Sequence, residues 1–310
     1  MSNFSYYDQT KLDLIKSFPF QKKISAVVSI ALNGIVIRFQ LQSEYISERY
    51  LRCYYKEFLC ENSREADCIV NLYSFDNEYA SIGHDIWNER WPRFHFINLE
   101  EENKAYIIER EYIAQSSNQL REIDCLVPEI NEINPDSLDN LVSTIFSSFM
   151  KKSKSLILHS AGVVKDGKAY IFFGHSGVGK STLADLCHKK FGLKIIGSDQ
   201  VYLRLIEGKL YAQATSITIP EIKRDDPKMF WKPLEVAGLI NLSREGEDGF
   251  FLKKPSEILA NFMKETLIYL TPVTSQEDYM NLLGQIFSIE NIIFGQLKYK
   301  KDDNFWDYLK

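Results

Sequence analysis

Alternating apolar and polar positions dominate the first 130 residues and predict strands there. Ser25–Leu41 consists of two such runs joined by Asn33-Gly34, a dipeptide typical of the tight turn in a β-hairpin. Ala66–Phe75 and Ala105–Tyr112 have the same character, and a helix is predicted over Ser47–Leu59. The amino-terminal part is therefore predicted to be a β-rich α+β domain.

The spacing changes to that of an amphipathic helix at Pro135 and Asp136. Apolar residues then recur three and four positions apart: Leu138, Leu141, Val142, Ile145, Phe146 and Phe149. Because this pattern departs from the alternation before it, we divide the chain into residues 1–134 and 135–310. The first domain has no assigned function and is expected to help dock a partner or substrate.

Strands and helices alternate in the second domain. Leu156–Val164 and Lys168–Phe173 flank a hairpin signal at Asp166-Gly167, and a helix over Lys180–Lys190 ends at Gly192. The further predicted elements are a strand Leu193–Gly197, strands turned at Glu207-Gly208, a strand Val236–Leu242, helices beginning at Ser256 and Ser275, and a strand Ile292–Tyr299. The expected class is α/β (α+β) with a mixed sheet.

Candidate chemistry is concentrated between the second strand of this domain and its first helix. Gly174-His175-Ser176-Gly177-Val178-Gly179-Lys180-Ser181, followed by Thr182, fits the P-loop pattern G-x-x-x-x-G-K-[ST]. Glycines let successive N–H groups point at phosphate oxygens, and the helix adds its positive amino-terminal end. Lys180 is expected to reach the β- and γ-phosphates and Ser181 to bind Mg²⁺. The sequence therefore predicts a site for ATP or GTP with Mg²⁺.

Two further residues are candidates for the chemistry beside a bound triphosphate. Asp199 ends the predicted strand that follows the P-loop helix, where a P-loop protein needs an acid. We expect it to act as a base or a metal-linked acid, against the alternative of an ordinary turn aspartate. His159 lies in the first strand of the preceding hairpin, and as a single histidine it is equally compatible with a core position.

Composition excludes several other classes of protein. The 310 residues carry a net charge of -5, too balanced for a dedicated nucleic-acid or membrane-surface binder. Five cysteines without a CxxC pair argue against a zinc site or a disulfide framework, and no apolar segment is long enough to span a bilayer. The expectation is a cytoplasmic protein without nucleic-acid or membrane partners. A homo-oligomer is left open.

The order of these motifs resembles the catalytic domain of HPr kinase/phosphorylase, within the wider fold group of phosphoenolpyruvate carboxykinase. The shared parts are a histidine-bearing strand (LHSAGVV), a hairpin into GHSGVGKST, a helix, and IIGSDQVYL followed by a hairpin. The resemblance implies that His159 matches the family histidine, Lys180 and Ser181 the nucleotide and metal residues, and Asp199 the base that activates the acceptor hydroxyl.

The chain departs from the family pattern at two positions. Ser198 stands where the first of two aspartates belongs, and Ser160 replaces the glycine after the histidine. Phosphorolysis and HPr itself as substrate are therefore not carried over. The chain is more similar to divergent kinases of this group that phosphorylate serine in precursor peptides, such as those of lasso peptides, which implies a protein or peptide acceptor.

Two other functions stay open at this stage. A small-molecule kinase of the adenylylsulfate or nucleotide type uses a similar P-loop, and a nucleotide-sensing regulatory module would need no acceptor. The segment Pro220–Pro233 carries Lys223 and Arg224 among acidic and aromatic residues. It is either a solvated surface loop or a cover that brings cations to the γ-phosphate and contacts the substrate.

Overall fold

The computed structural model describes residues 6–42, 47–74, 95–99, 104–108, 112–117, 119–127, 135–215, 229–267 and 274–299. The chain divides into two compact units, Met1–Phe149 with Leu270–Ser275, and Met150–Tyr269 with Gln276–Lys310. Each unit is built on its own mixed sheet with helices, which confirms the predicted α/β (α+β) class. Among the described residues, no helix has both the length and the apolar character needed to cross a bilayer.

The first unit contains a seven-stranded sheet in the order β1-β2-β3-β7-β6-β5-β4. Its strands are β1 (Ala26–Leu32), β2 (Ile35–Leu41), β3 (Cys68–Ser74), β4 (His95–Leu99), β5 (Lys104–Ile108), β6 (Ile113–Ser117) and β7 (Glu122–Val127). Only the contacts of β3 with β2 and with β7 are parallel; the other neighbours are antiparallel.

The described part of this unit includes the helices α1 (Tyr6–Ser17), α2 (Glu48–Tyr54) and α3 (Pro135–Ser148). The sequence boundary at 134/135 assigned α3 to the other domain, whereas it groups with the first unit. The reason is its buried carboxylate, Asp139, which accepts hydrogen bonds from the hydroxyls of Tyr54 and Tyr55. A buried carboxylate is stable only when its oxygens are paired, so these contacts hold α3 to the first unit.

The second unit contains a nine-stranded sheet arrangement. Its strands are β8 (Ser155–Lys165), β9 (Lys168–Phe173), β10 (Lys194–Gly197), β11 (Gln200–Ile206), β12 (Lys209–Ala214), β13 (Leu234–Ser243), β14 (Gly249–Leu252), β15 (Thr266–Leu267) and β16 (Ile293–Lys298). Its helices are α4 (Met150–Ser153), α5 (Lys180–Phe191), α6 (Pro255–Glu265) and α7 (Gln276–Phe287).

Strand β8 organises this unit because its two halves pair with different strands. Residues up to His159 pair with β11, and from Ser160 onward β8 pairs with β9. Strand β9 is antiparallel to β8 and parallel to β13. The carboxyl end of β9 is thereby placed beside the middle of β8 and the end of β13.

The described elements of the two units confirm much of the sequence prediction. The hairpins at Asn33-Gly34, Asp166-Gly167 and Glu207-Gly208 form, and α5 ends at Gly192. Helix α1 and strands β4, β6, β7 and β14 were not predicted. Helix α1 lacks a regular apolar stripe and depends on tertiary packing of Leu12, Leu14 and Ile15, which no local pattern reveals.

Candidate functional site

The P-loop connects the end of β9 directly to the start of α5. Phe173 before the loop and Leu183 in the first turn of the helix are both fully buried, so both arms of the loop are anchored in the core. Burying such side chains contributes about 1.5–3 kcal/mol each. The sequence predicts this strand–loop–helix unit because each part is contiguous in the chain.

Two glycines of the loop occupy conformations that no other residue fits. Gly179 has φ of +112°, and a Cβ built on it would lie 2.6 Å from the Tyr299 hydroxyl oxygen. Gly174 has φ of +146°, and its Cβ would lie 2.9 Å from the Leu242 carbonyl oxygen on β13. Positive φ and close approach both require glycine, so the loop has the compact backbone that a phosphate cradle needs.

Lys180 is buried at the first position of α5. Its Nζ donates to the Gly174 carbonyl at 2.6 Å and lies 3.4 Å from the His175 carbonyl. Burial lowers the pKa of this ammonium, while the neighbouring carboxylates of Glu265 and Asp199 oppose that shift. A desolvated cation inside the loop is the group that a triphosphate would require there.

The remaining residues of the motif divide into buried and exposed positions. Val178 is buried, His175, Ser176 and Thr182 are exposed, and Ser181 is half-buried. The Ser181 hydroxyl donates to the Ser198 carbonyl at 2.7 Å. The predicted metal residue is thus held against the turn that carries Asp199, so the two predicted metal ligands belong to neighbouring segments.

The pairing register of β8 with β11 brings His159 next to Asp199. Gln200 pairs with His159, and the Ser160 N–H donates to the Asp199 carbonyl at 2.9 Å, which fixes the turn against β8. His159 Nε2 lies 3.3 Å from Asp199 Oδ1. The hydrogen bond from His159 lowers the pKa of Asp199 against the opposing effect of burial, and the charges of His159 and Lys180 lower it further.

Glu265 is a site residue that the sequence analysis missed. It is the last residue of α6, and its carboxylate Oε2 lies 3.7 Å from His159 Nδ1 and 3.9 Å from Lys180 Nζ. Lys180, His159, Asp199 and Glu265 therefore form one group, called here the charged cluster. No sequence signal marks Glu265, because it is one of many glutamates and lies 66 residues after Asp199.

Arg244 and Tyr299 contact the backbone of the P-loop and were also missed. Arg244 Nε donates to the Val178 carbonyl at 2.9 Å, and the Tyr299 hydroxyl donates to the Gly179 carbonyl at 2.7 Å. Burial raises the pKa of Tyr299 to about 12. These contacts order the second half of the loop. An arginine directly after a strand beside β9 is the one sequence feature that indicates such a contact.

Lys223 and Arg224, with the rest of 216–228, lie outside the described residues, so their predicted role stays a prediction. The described residues that come next in the chain contact β10: Met229 forms a bridge with Ile195, and the Phe230 N–H donates to the Ile195 carbonyl at 2.8 Å.

Comparisons with known proteins show a likeness to solved structures. No family of known proteins matches the chain, and no curated protein matches it. Among solved structures, the chain is similar to the HPr(Ser) kinase/phosphatase from Coxiella burnetii, at 16% identity and a TM-score of 0.27. That likeness covers 42% of this chain and 92% of the other. The function proposed next therefore rests on the geometry of the site.

Proposed function

We propose that this chain is an ATP-dependent kinase that uses Mg²⁺ and transfers the γ-phosphate to a serine-type hydroxyl of a protein or peptide. The observation that carries this proposal is the meeting of the P-loop lysine, Lys180, with the His159–Asp199 pair. Glu265 Oε2 links them, since it lies 3.9 Å from Lys180 Nζ and 3.7 Å from His159 Nδ1, and His159 Nε2 lies 3.3 Å from Asp199 Oδ1. This grouping supports the proposal, because a kinase needs a cation for the phosphates and a carboxylate for the acceptor in one site.

The reaction would form a bond between the acceptor oxygen and the γ-phosphorus. The bond from that phosphorus to the β–γ bridging oxygen breaks, ADP leaves, and the hydroxyl proton passes to Asp199. The lowered pKa keeps Asp199 ionised at neutral pH, so it can accept a hydrogen bond from the acceptor and orient it. His159 would hold the carboxylate in place during this step. Lys180 would stabilise charge on the transferred group.

The residues present fit a magnesium ion. Ser181 Oγ and the Asp199 carboxylate are oxygen ligands of the kind that Mg²⁺ prefers. Within the described ranges, no group of three His, Cys, Asp or Glu residues forms a complete metal site. A magnesium ion held by Ser181 and Asp199 would take its other ligands from phosphate oxygens and water. When bound, Mg²⁺ neutralises charge on the phosphoryl group.

The strand arrangement supports this proposal over a nucleotide-type kinase. Such a kinase would be expected to carry its P-loop in a doubly wound parallel sheet. Here β9 is antiparallel to β8, and the strands that follow Asp199, β11 and β12, form an antiparallel hairpin. This is the arrangement of hairpins that the resemblance to HPr-kinase-like catalytic domains implies.

The proposal is tested by phosphoryl transfer from γ-labelled ATP, with GTP measured in parallel. Acceptors are a cell extract, a library of serine-containing peptides, and adenylylsulfate with free nucleosides. Label on a protein or peptide serine, lost in Lys180→Ala and Asp199→Asn, supports the kinase. Label only on a small molecule would establish the rival kinase. Tight binding of nucleotide without any transfer would assign the chain to nucleotide sensing.

A further inference from the structure

The end of helix α6 is fixed beside the P-loop by contacts on both sides of Glu265. Thr266 and Leu267 form β15 and pair with Leu158 and Ile157 on β8. The Thr266 hydroxyl donates to the carbonyl of Phe262, whose side chain is fully buried. These contacts hold the backbone directly after Glu265 against β8, which places the Glu265 side chain beside the charged cluster.

Within that cluster, Glu265 lies between Lys180 and His159. Its side chain is 13% exposed, and Oε2 approaches both Lys180 Nζ and His159 Nδ1. Asp199, in contrast, is 44% exposed and pairs with the other nitrogen of the imidazole. The more buried carboxylate is therefore the one next to the P-loop lysine, where water screens its charge least.

A carboxylate in this position competes with a triphosphate for the same cation. Lys180 Nζ is occupied by the Gly174 carbonyl and faces Glu265. A bound triphosphate needs this ammonium at its β- and γ-phosphates. The phosphate oxygens and the Glu265 carboxylate carry the same sign of charge, so each disfavours the other beside Lys180.

We propose that Glu265 is a positioning residue that holds the Lys180 ammonium before nucleotide binds and is exchanged for phosphate when nucleotide enters. This inference rests on the proposed function, because it needs a triphosphate in the P-loop. Its consequence is unusual for a residue of a binding site: neutralising Glu265 should make the site bind triphosphate more tightly. His159 remains as the second partner of Glu265 after the exchange.

The test is calorimetric titration of the full chain with Mg-ATP, inorganic tripolyphosphate and AMP. Glu265→Gln should lower the Kd for Mg-ATP and tripolyphosphate by about tenfold, as expected when a buried charge of like sign is removed near the ligand. The Kd for AMP, which lacks the β- and γ-phosphates, should change little. Glu257→Gln on the same helix is the control; Glu257 accepts a hydrogen bond from the Lys254 N–H and should affect helix stability only.

Weaker or unchanged binding of triphosphate by Glu265→Gln would overturn the inference, and loss of the magnesium dependence would make Glu265 a metal ligand instead. If Glu265→Gln does not fold, Glu265→Asp serves as the test. Its shorter side chain places the carboxylate farther from Lys180, so the Kd for triphosphate should fall by a smaller factor. If wild type binds Mg-ATP and neither variant changes the Kd, the exchange is excluded, whereas the proposed kinase is not. If neither wild type nor any variant binds Mg-ATP, both the proposed kinase and the exchange are excluded.

Discussion

The P-loop and the charged cluster meet at Lys180 but are built in opposite ways. The P-loop occupies eight consecutive residues, Gly174–Ser181, between a strand and a helix that are themselves contiguous. The cluster joins His159, Asp199 and Glu265, which are spread over more than a hundred positions of the chain. The first is specified by local backbone chemistry, and the second exists only once the sheet has formed.

The P-loop and the charged cluster therefore depend on different parts of the fold. The P-loop needs its glycines and the buried ends of β9 and α5. The cluster needs the change of pairing partner in the middle of β8, since that register sets His159 opposite Gln200, the neighbour of Asp199. Substitutions in the P-loop should therefore affect nucleotide binding. In the cluster, substitution of Asp199 should affect the chemistry that follows binding, whereas Glu265, which lies next to Lys180, should affect binding itself.

The largest expected effect is the loss of nucleotide binding in Lys180→Ala. Wild-type protein should be stabilised by Mg-ATP by about 2.7 kcal/mol at a hundredfold excess over Kd, because ligand binds only the folded state. The variant should lose most of this, since the phosphates lose their buried counter-charge. Thermal unfolding with and without Mg-ATP measures it. Lys189→Ala, exposed near the end of the same helix, should keep the full shift. Equal stabilisation of Lys180→Ala would refute the P-loop assignment.

The second effect separates chemistry from binding. Asp199→Asn should lower kcat for phosphoryl transfer by about 10²-fold or more while leaving the Kd for ATP within a few-fold, because the amide cannot accept the hydroxyl proton. Asp166→Asn is a matched control, since Asp166 lies in the β8–β9 turn, where asparagine is equally well tolerated. A parallel fall in binding and turnover would mean that the two regions are not functionally distinct.

The same contrast determines how much the sequence could predict. The P-loop, its glycines and the strand–loop–helix order followed from one motif. Asp199 was indicated by its position one helix and one strand after Lys180, and His159 only by the resemblance. Glu265 and Tyr299 could not be predicted, and only the position of Arg244 directly after a strand indicated its contact, because their roles depend on pairings such as β15 with β8 that join distant segments. The role of a glutamate at the end of a helix depends on the residues that surround it in the folded protein.

A third prediction concerns the pH dependence of stability. The ordinary pKa of an aspartate, 3.8, is lowered in folded Asp199 chiefly by the hydrogen bond with His159. A depressed folded pKa stabilises the protein above the unfolded pKa, and this contribution is lost as the pH falls through the folded value. The free energy of unfolding of wild type relative to Asp199→Asn should shrink as the pH falls below about 4. Urea unfolding across this range measures it. A difference that grows on acidification would contradict the pairing with His159.

The smallest expected effect tests how far the P-loop is supported from outside its own motif. Tyr299→Phe removes one hydrogen bond, from the Tyr299 hydroxyl to the Gly179 carbonyl, and leaves the ring in place. The raised pKa keeps this hydroxyl a donor at neutral pH, so the loss should be about 1 kcal/mol of stability and a few-fold in the Kd for ATP. Tyr211→Phe, on β12 opposite the start of β13, is the control and should leave the Kd unchanged. If Tyr299→Phe leaves both quantities unchanged, the loop is self-sufficient, and the local motif alone specifies the phosphate site.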